Sequence, residues 1–320
     1  MYSKPPYEIT ATILKAISAI SEKIGEVNAR YLNKPSLELR KQNRIKTIHS
    51  SLAIEGNTLT ESQITAIIEG KRVIGPQKEI LEVANAIEVY DQLYSFDPYT
   101  TNSFFKAHEL LMNGLMANAG SYRKQGVGIV QGESIRHLAP PSDNVPYLMK
   151  SLFDYLKKDE DLILIKSCVF HYEMEFIHPF LDGNGRMGRL WQTLILMKDY
   201  PVFEYIPFEH LISQTQESYY GALSLSDKSG HSTAFIEYML KVIDTSLADL
   251  LNENHNHLST VDRLNYFLQS HPNSFTRKEY MTVFKDLSTA TASRDLKKGI
   301  EIGLLETSGN HNQTVYSKRN

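Results

Sequence analysis

Apolar residues three and four apart run through most of this 320-residue chain, and that period restricts it to a mainly α-helical body. Leu14, Ile17, Ile20 and Ile24 mark an amphipathic first helix. A second helical stretch, within about 37–56, stops at Gly56-Asn57, a left-handed C-cap. Thr60-Glu61-Ser62-Gln63 has the spacing of a capping box that opens another helix. Over 79–93 the pattern sets Ile80, Val83, Ala84 and Ile87 on one side, and Asn102 or Ser103 is placed to cap the helix carrying His108, Leu111 and Leu115. Helices are expected again over 145–156 and 161–177, the latter broken at Pro179, with a further one re-entered after Gly185 and running to about Lys198.

Two stretches depart from this texture. Between Gly120 and Pro146, Val127, Ile129 and Val130 lie among Gly126, Gly128 and Gly132 and are followed by Pro140-Pro141, which suits a short β-hairpin. From Asn252 to His257 the composition turns polar, as a linker would. Helices are then expected over 261–268, over 277–284 after Thr276, and over 289–299. Segments 304–307 and 314–316 pair across Ser308-Gly309-Asn310-His311-Asn312. That order is a C-terminal winged helix-turn-helix. The expected organisation is an N-terminal helical region over 1–100, a core over 101–251, a linker over 252–257 and the winged helix over 258–320.

A net charge of −3 argues against wholesale binding of nucleic acid or anionic membrane, although from residue 257 onward nine Lys and Arg face six Asp and Glu. The one cysteine, Cys168, sits in the apolar run 162–170, where a buried inert thiol is expected. The N-terminus lacks the apolar region of a signal peptide and no stretch is long enough to span a bilayer, so cytoplasmic residence without a membrane partner is the expectation.

The chemistry concentrates in residues 178–189. Gly183-Asn184-Gly185 at the start of a helix leaves backbone N–H groups pointing outward, a nest for phosphate oxygens. Arg186 and Arg189, three apart, share a helical face beside it and can clamp a polyphosphate. Asp182 at the lip suits Mg²⁺ held against the same phosphates. His178, freed from its helix by Pro179, can take a proton from an attacking hydroxyl. Together these parts describe transfer at phosphorus without saying which phosphorus is attacked. His171, Glu175 and His178, at i, i+4 and i+7, offer zinc as a rival, but Pro179 pulls His178 out of register and the His-Glu-x-x-His order is absent. A Gly-x-x-x-x-Gly-Lys-Ser/Thr phosphate loop is absent too. His108 and His137 read as structural or surface residues.

The stretch His178-Pro179-Phe180-Leu181-Asp182-Gly183-Asn184-Gly185-Arg186-Met187-Gly188-Arg189 resembles the signature of the Fic family, histidine-x-phenylalanine-x-acid-Gly-Asn-Gly-Arg-x-x-Arg, at every fixed position. The resemblance implies a Fic-type helical core with His178 as base, Asp182 as magnesium ligand and Phe180 as an anchor of the loop. Gly183, Asn184, Gly185 and Arg186 would surround the α- and β-phosphates of ATP, and Arg189 would meet the γ-phosphate. The implied reaction moves AMP onto a Tyr, Thr or Ser hydroxyl, of a target protein or of the chain itself. Gly120-Ser121-Tyr122-Arg123, the 127–130 strand and Pro140-Pro141 are similar to the family's flap, so a target would dock under residues 126–141 by strand addition. Tyr219-Tyr220 with Leu223 resembles an element near the nucleotide, though packing is the simpler reading.

Ser51-Leu52-Ala53-Ile54-Glu55-Gly56 matches the family's inhibitory motif, Ser/Thr-x-x-x-Glu-Gly/Asn. The implied inhibition lies within one chain, with Glu55 pairing with Arg189 and displacing the γ-phosphate. Other readings stay open: a Fic enzyme acting mainly in AMP removal or with UTP or another donor, or a DNA-binding regulator with the Fic body as sensor. In that regulator Thr291, Ser293, Arg294, Lys297 and Lys298 would face a groove. The winged helix could equally dock a protein or a second copy of the chain as a homodimer.

Overall fold

Ile13, Ile20, Ile24 and Val27 form one buried stripe along α1 (Ala11–Tyr31), whereas Leu14 is 59% exposed. The spacing read from the sequence holds, but Ile13 sets its phase. The computed structural model describes residues 3–31, 37–131, 134–252, 260–270, 274–284, 287–309 and 314–319. Outside them fall Gly132, the turn residues 310–312 and all of the expected 252–257 linker but Asn252; the side chains of 128–138, including His137, are not described either.

Helix α2 (Leu37–Ile54) ends where Gly56 takes φ +91°, a conformation that favours glycine. Thr60 caps α3 (Glu61–Ile68) through a complete capping box with Gln63. Along α4 (Gln77–Asp91) the buried line is Val83, Ala86 and Val89, and Ala84 faces solvent. Thr100, not Asn102 or Ser103, caps α5 (Thr101–Leu111): its backbone is extended and its hydroxyl accepts from Ser103 N–H. The helix stops at Leu111, leaving Leu115 beyond it. Strands β1 (Gly128–Gln131) and β2 (Ser134–Leu138) then form an antiparallel hairpin, with a register irregularity between Ile129 and Val130.

After α6 (Val145–Lys158), the centre is built by α7 (Ile163–Ile177) and α8 (Asn184–Met197), which pack side by side. Helix α7 is apolar nearly all round, the pattern of a helix with no solvent face. The two axes approach closely at Gly188, where a Cβ would lie 2.7 Å from His171 Cδ2. The His171 ring is fixed there by Gln192 Oε1 at Nδ1 (2.6 Å) and the Tyr219 hydroxyl at Nε2 (3.0 Å). A neighbouring knot of Phe104, Phe153, Phe170, Phe180 and Trp191 fills the core. Cys168 is buried beside it, with its thiol pushed up to about 12 by burial. Helices α9 (Phe208–Gln214), α10 (Gln216–Ser229) and α11 (Thr233–Asn252) complete this part.

The backbone divides into two units, residues 1–28 with 39–252, and 29–38 with 253–320. In the second unit α12 (Thr260–Ser270), α13 (Arg277–Val283) and α14 (Thr289–Glu301) precede an antiparallel hairpin of β3 (Leu305–Ser308) and β4 (Val315–Lys318). Leu264, Phe267, Phe275, Tyr280, Ala292, Leu296 and Leu305 form its core. No helix among the described residues is long and apolar enough to cross a membrane.

Because His171 is wedged against Gly188 and held by two hydrogen bonds, Gly188→Ala forces the central helices apart. The expected cost is about 1–3 kcal/mol, read as a fall of several degrees in Tm. An unchanged Tm would mean that the α7–α8 contact yields freely.

Candidate active site

Helix α7 ends because Pro179 cannot continue it, and His178 turns into the left-handed region at φ 51°, ψ 62°. It is the only non-glycine residue with positive φ among those described, a conformation that costs an L-residue on the order of 1 kcal/mol or more. The turn is held by Arg123, whose side chain is almost wholly buried. Its Nε donates to His178 O (2.7 Å), and Nη2 donates to Pro140 O (2.6 Å) and Ile177 O (3.2 Å). Nη1 donates to Gln125 O (2.8 Å), and the backbone N–H of Arg123 to Pro179 O (2.9 Å). One guanidinium thus joins the His178 turn to both ends of the β1–β2 hairpin.

The next residues are fixed from below. Phe180 is buried and stacks on His108, with centroids 3.6 Å apart and planes 4° from parallel. Gly120 N–H donates to His108 Nδ1 (2.9 Å), so the ring proton is on Nε2, which donates to Asp182 O (3.0 Å). Burial holds this imidazole neutral, its pKa lowered to about 4. Histidine at 108 is structural, as the sequence suggests, but its part in shaping the loop could not be read there.

Asn184 turns inward. Its Oδ1 accepts from Phe180 N–H and its Nδ2 donates to Phe180 O, both at 2.9 Å. Its side chain therefore braces the loop, leaving only its backbone amide toward the nest. Gly183, at φ +83°, lies so near Met112 Sδ that a Cβ there would be 2.8 Å away. The first bond of α8 is Met187 N–H to Gly183 O, so the amides of Asn184, Gly185 and Arg186 precede the helical ladder and have no partner within it. That is the nest, at the positive end of α8.

Asp182 Oδ1 accepts from Gly183 N–H (2.6 Å) and Arg186 Nη2 (3.1 Å). Both bonds fall on one oxygen of a side chain 56% exposed. No group of three or more His, Cys, Asp or Glu that could hold a metal ion occurs among the described residues. An exposed carboxylate beside an anion nest nevertheless fits Mg²⁺, which takes one or two carboxylates and completes its shell with phosphate oxygens and water. Arg186 also faces Glu82 on α4 (3.7 Å), and Glu82 Oε2 accepts from Asn57 Nδ2 (2.9 Å). No motif in the sequence points to Glu82.

Arg189 is fully buried and clasped by the end of α2. Its Nη2 donates to Glu55 Oε1 and to Ser51 O, both at 2.8 Å, and its Nε to Ser51 Oγ at 3.1 Å. Burial alone would depress the guanidinium; the charge of Glu55, the Tyr219 phenol and the Glu55 hydrogen bond together raise its pKa above the usual value. Ser51, Glu55 and Gly56 thus meet α8 in one place. A Cβ built on Gly185 would collide with Glu55 Oε1 and lie 3.0 Å from Arg189 Nη1, so the carboxylate sits on the glycine of the nest itself. Glu209 is within electrostatic reach of Arg189, but burial pushes its pKa up to about 8 and leaves it largely neutral at neutral pH. Tyr219 is buried in packing, its hydroxyl committed to His171.

Comparison with known proteins places this geometry. A profile of the Fic/DOC family matches residues 98–196. A Fic family protein of Desulfovibrio desulfuricans G20, solved by crystallography, is 39% identical, with a TM-score of 0.76 and 99% of each chain covered. The chain is 30% identical over 195 residues to a protein of Nematostella vectensis named protein adenylyltransferase Fic, covering 55% of this chain and 44% of that one. It is 28% identical over 215 residues to protein adenylyltransferase fic-1 of Caenorhabditis elegans, covering 62% and 40%. It therefore spans less than half the length of the curated relatives it matches.

A neutral buried His108 makes the fold acid-sensitive. Its folded pKa lies below the ordinary 6.5 at about 4, so the unfolded chain binds the extra proton and stability falls as pH drops between those values. The loss approaches about 3 kcal/mol. His108→Phe keeps the stack on Phe180 but strands Gly120 N–H and Asp182 O, at a cost on the order of 2–3 kcal/mol. The variant's unfolding free energy should fall less steeply than wild type over that pH interval; parallel curves would assign the acid sensitivity to another group.

Proposed function

The chain belongs to the Fic/DOC family, and we propose that it is a protein adenylyltransferase that moves AMP from ATP to a Tyr, Thr or Ser hydroxyl and is held in check by Glu55. The observation that carries the proposal is the clasp of Arg189 by Ser51 and Glu55 directly over Gly185. A carboxylate in that position marks where a phosphate would otherwise lie.

In the proposed reaction the α- and β-phosphates rest on the amides at the start of α8, with Arg186 beside them. His178 takes the proton of the target hydroxyl as its oxygen bonds to the α-phosphorus. The bond from that phosphorus to the bridging oxygen breaks, and pyrophosphate leaves with the electron pair. Asp182 would hold Mg²⁺, which supplies charge neutralisation at the phosphates. Arg123 acts only by position, fixing the turn that presents His178. The β1–β2 hairpin, rooted on the same guanidinium, is suited to receive a target segment by strand addition.

Inhibition follows from competition. While Glu55 occupies Arg189, a γ-phosphate lacks its partner and meets a negative charge. A shielded arginine–carboxylate bond worth about 1–3 kcal/mol corresponds to roughly ten- to hundredfold suppression. The test is label transfer with Mg²⁺ from α-labelled and, separately, γ-labelled ATP, with a lysate as target source. Protein-bound label from the α position alone, raised ten- to hundredfold in Glu55→Gly and abolished in His178→Ala, is the expected outcome. Label from the γ position would make the chain a phosphotransferase instead. No gain in Glu55→Gly would remove the inhibitor role, and no label in any variant would favour another donor or AMP removal.

A further inference from the structure

The second unit carries a polar groove apart from the residues assigned to the proposed transfer. A groove of about 590 Å³ is lined by Thr276, Arg277 and Lys278 at the start of α13, Thr289 at the start of α14, and Thr314 and Tyr316 of the hairpin. Its geometry is fixed from behind. Arg263 on α12 makes a two-pronged ion pair with the buried Asp295 of α14 (2.6 and 2.7 Å), and Asp295 also accepts from Thr260 (2.7 Å) and Tyr280 (3.2 Å). Gly299 lets α14 press on Leu264 and Leu305. Phe275 and Tyr316 exchange two backbone hydrogen bonds of 2.8 Å, so the hairpin lies against the entry to α13.

With Asp295 turned inward, the opposite side of α14 faces out. Thr289, Ser293 and Lys297 follow one another at four-residue steps, flanked by the exposed Ala290 and Arg294. Arg277 Nη1 donates to Ser293 Oγ (2.8 Å), bringing the α13 cations onto that stripe. The nearby acids are engaged: Glu279 closes the capping box at Thr276, and Glu301 pairs with Lys298 at 3.5 Å. Among the described residues no carboxylate lies within ion-pair distance of Arg277, Lys278, Arg294 or Lys297.

We propose that this face binds duplex DNA, with α14 laid in the major groove and Arg277 and Lys278 of α13, together with Arg294 and Lys297 of α14, on the flanking phosphates. A helix-turn-helix with an adjoining hairpin presents these elements in that manner. A single strand would want exposed aromatic platforms, and the aromatic ring lining this groove, Tyr316, is half-buried and stacked on Phe275. The major groove of duplex RNA is too narrow and deep for a helix.

The test is fluorescence anisotropy of the full chain with a labelled random-sequence duplex. Four phosphate contacts predict an affinity loss on the order of 100-fold between about 50 and 200 mM salt. Arg294→Ala with Lys297→Ala should bind more weakly and lose only about tenfold over that interval. Both residues are exposed, so its Tm should match wild type, and Arg294→Lys with Lys297→Arg should restore binding. Three outcomes overturn the proposal: no duplex binding at low salt, binding indifferent to the double alanine variant, or displacement by polyglutamate or single-stranded DNA as readily as by duplex. The last would make the face a general acidic-partner surface.

Discussion

Arg123 buries a full guanidinium charge among backbone carbonyls and not against a carboxylate. Burying a charge in this way is tolerable only when its donors find partners, and here side-chain bonds engage four of the five guanidinium N–H groups. What they secure is a conformation the chain would otherwise avoid: the left-handed turn at His178. Without that turn α7 would carry His178 onward in helical phase. With it the chain doubles back, Asp182 and Gly183 reach the lip, and α8 starts with amides that have no partner in its own ladder. The loop beneath is then stiffened by the Asn184–Phe180 bonds and the stack on His108. A site built this way is set before any ligand arrives, which is what stabilising charge in a transition state requires.

Much of this was legible in the sequence, because its signals were local. Gly183-Asn184-Gly185 announces a nest, Pro179 announces the break, and Thr60 to Gln63 announces a capping box that the structure contains in full. Where reading failed, the missing information was long-range. Leu14 and Ile13 are equally apolar, and only packing decides which one faces inward. Thr100, Asn102 and Ser103 can all cap a helix; Thr100 does because its backbone is extended. Glu82 has no motif, and its bonds to Asn57 and Arg186 join residues far apart in the chain. Asn184 shows the opposite case: the position is evident, but the amide serves the loop's own backbone.

The clasp proposed to inhibit has two layers of unequal exposure. Arg189 is sealed in the interior, whereas the Glu55 side chain is 31% exposed at the end of its helix. Ser51 provides two of the three bonds to Arg189, one from its hydroxyl and one from its carbonyl. Moving Glu55 alone therefore leaves the guanidinium still fixed and pointing at the nest. Activation in the proposed scheme needs no rebuilding of the site, only the withdrawal of one carboxylate from a place that is already shaped for an anion.

The hold on that carboxylate is itself distributed. Gln216 on α10 donates to Ile54 O (3.0 Å), and Asn57 is tied to Glu79 O (3.1 Å) and Glu82 on α4, so the turn carrying Glu55 is gripped from two helices. Glu82 also faces Arg186, one of the two arginines beside the nest. A phosphate drawing Arg186 toward itself would weaken the pull of Arg186 on Glu82, and Glu82 is a partner of the turn after α2. In the proposed scheme nucleotide and Glu55 are thus linked through Arg186 as well as through Arg189. In that scheme a polyphosphate and Glu55 compete for Arg189, so each weakens the hold of the other.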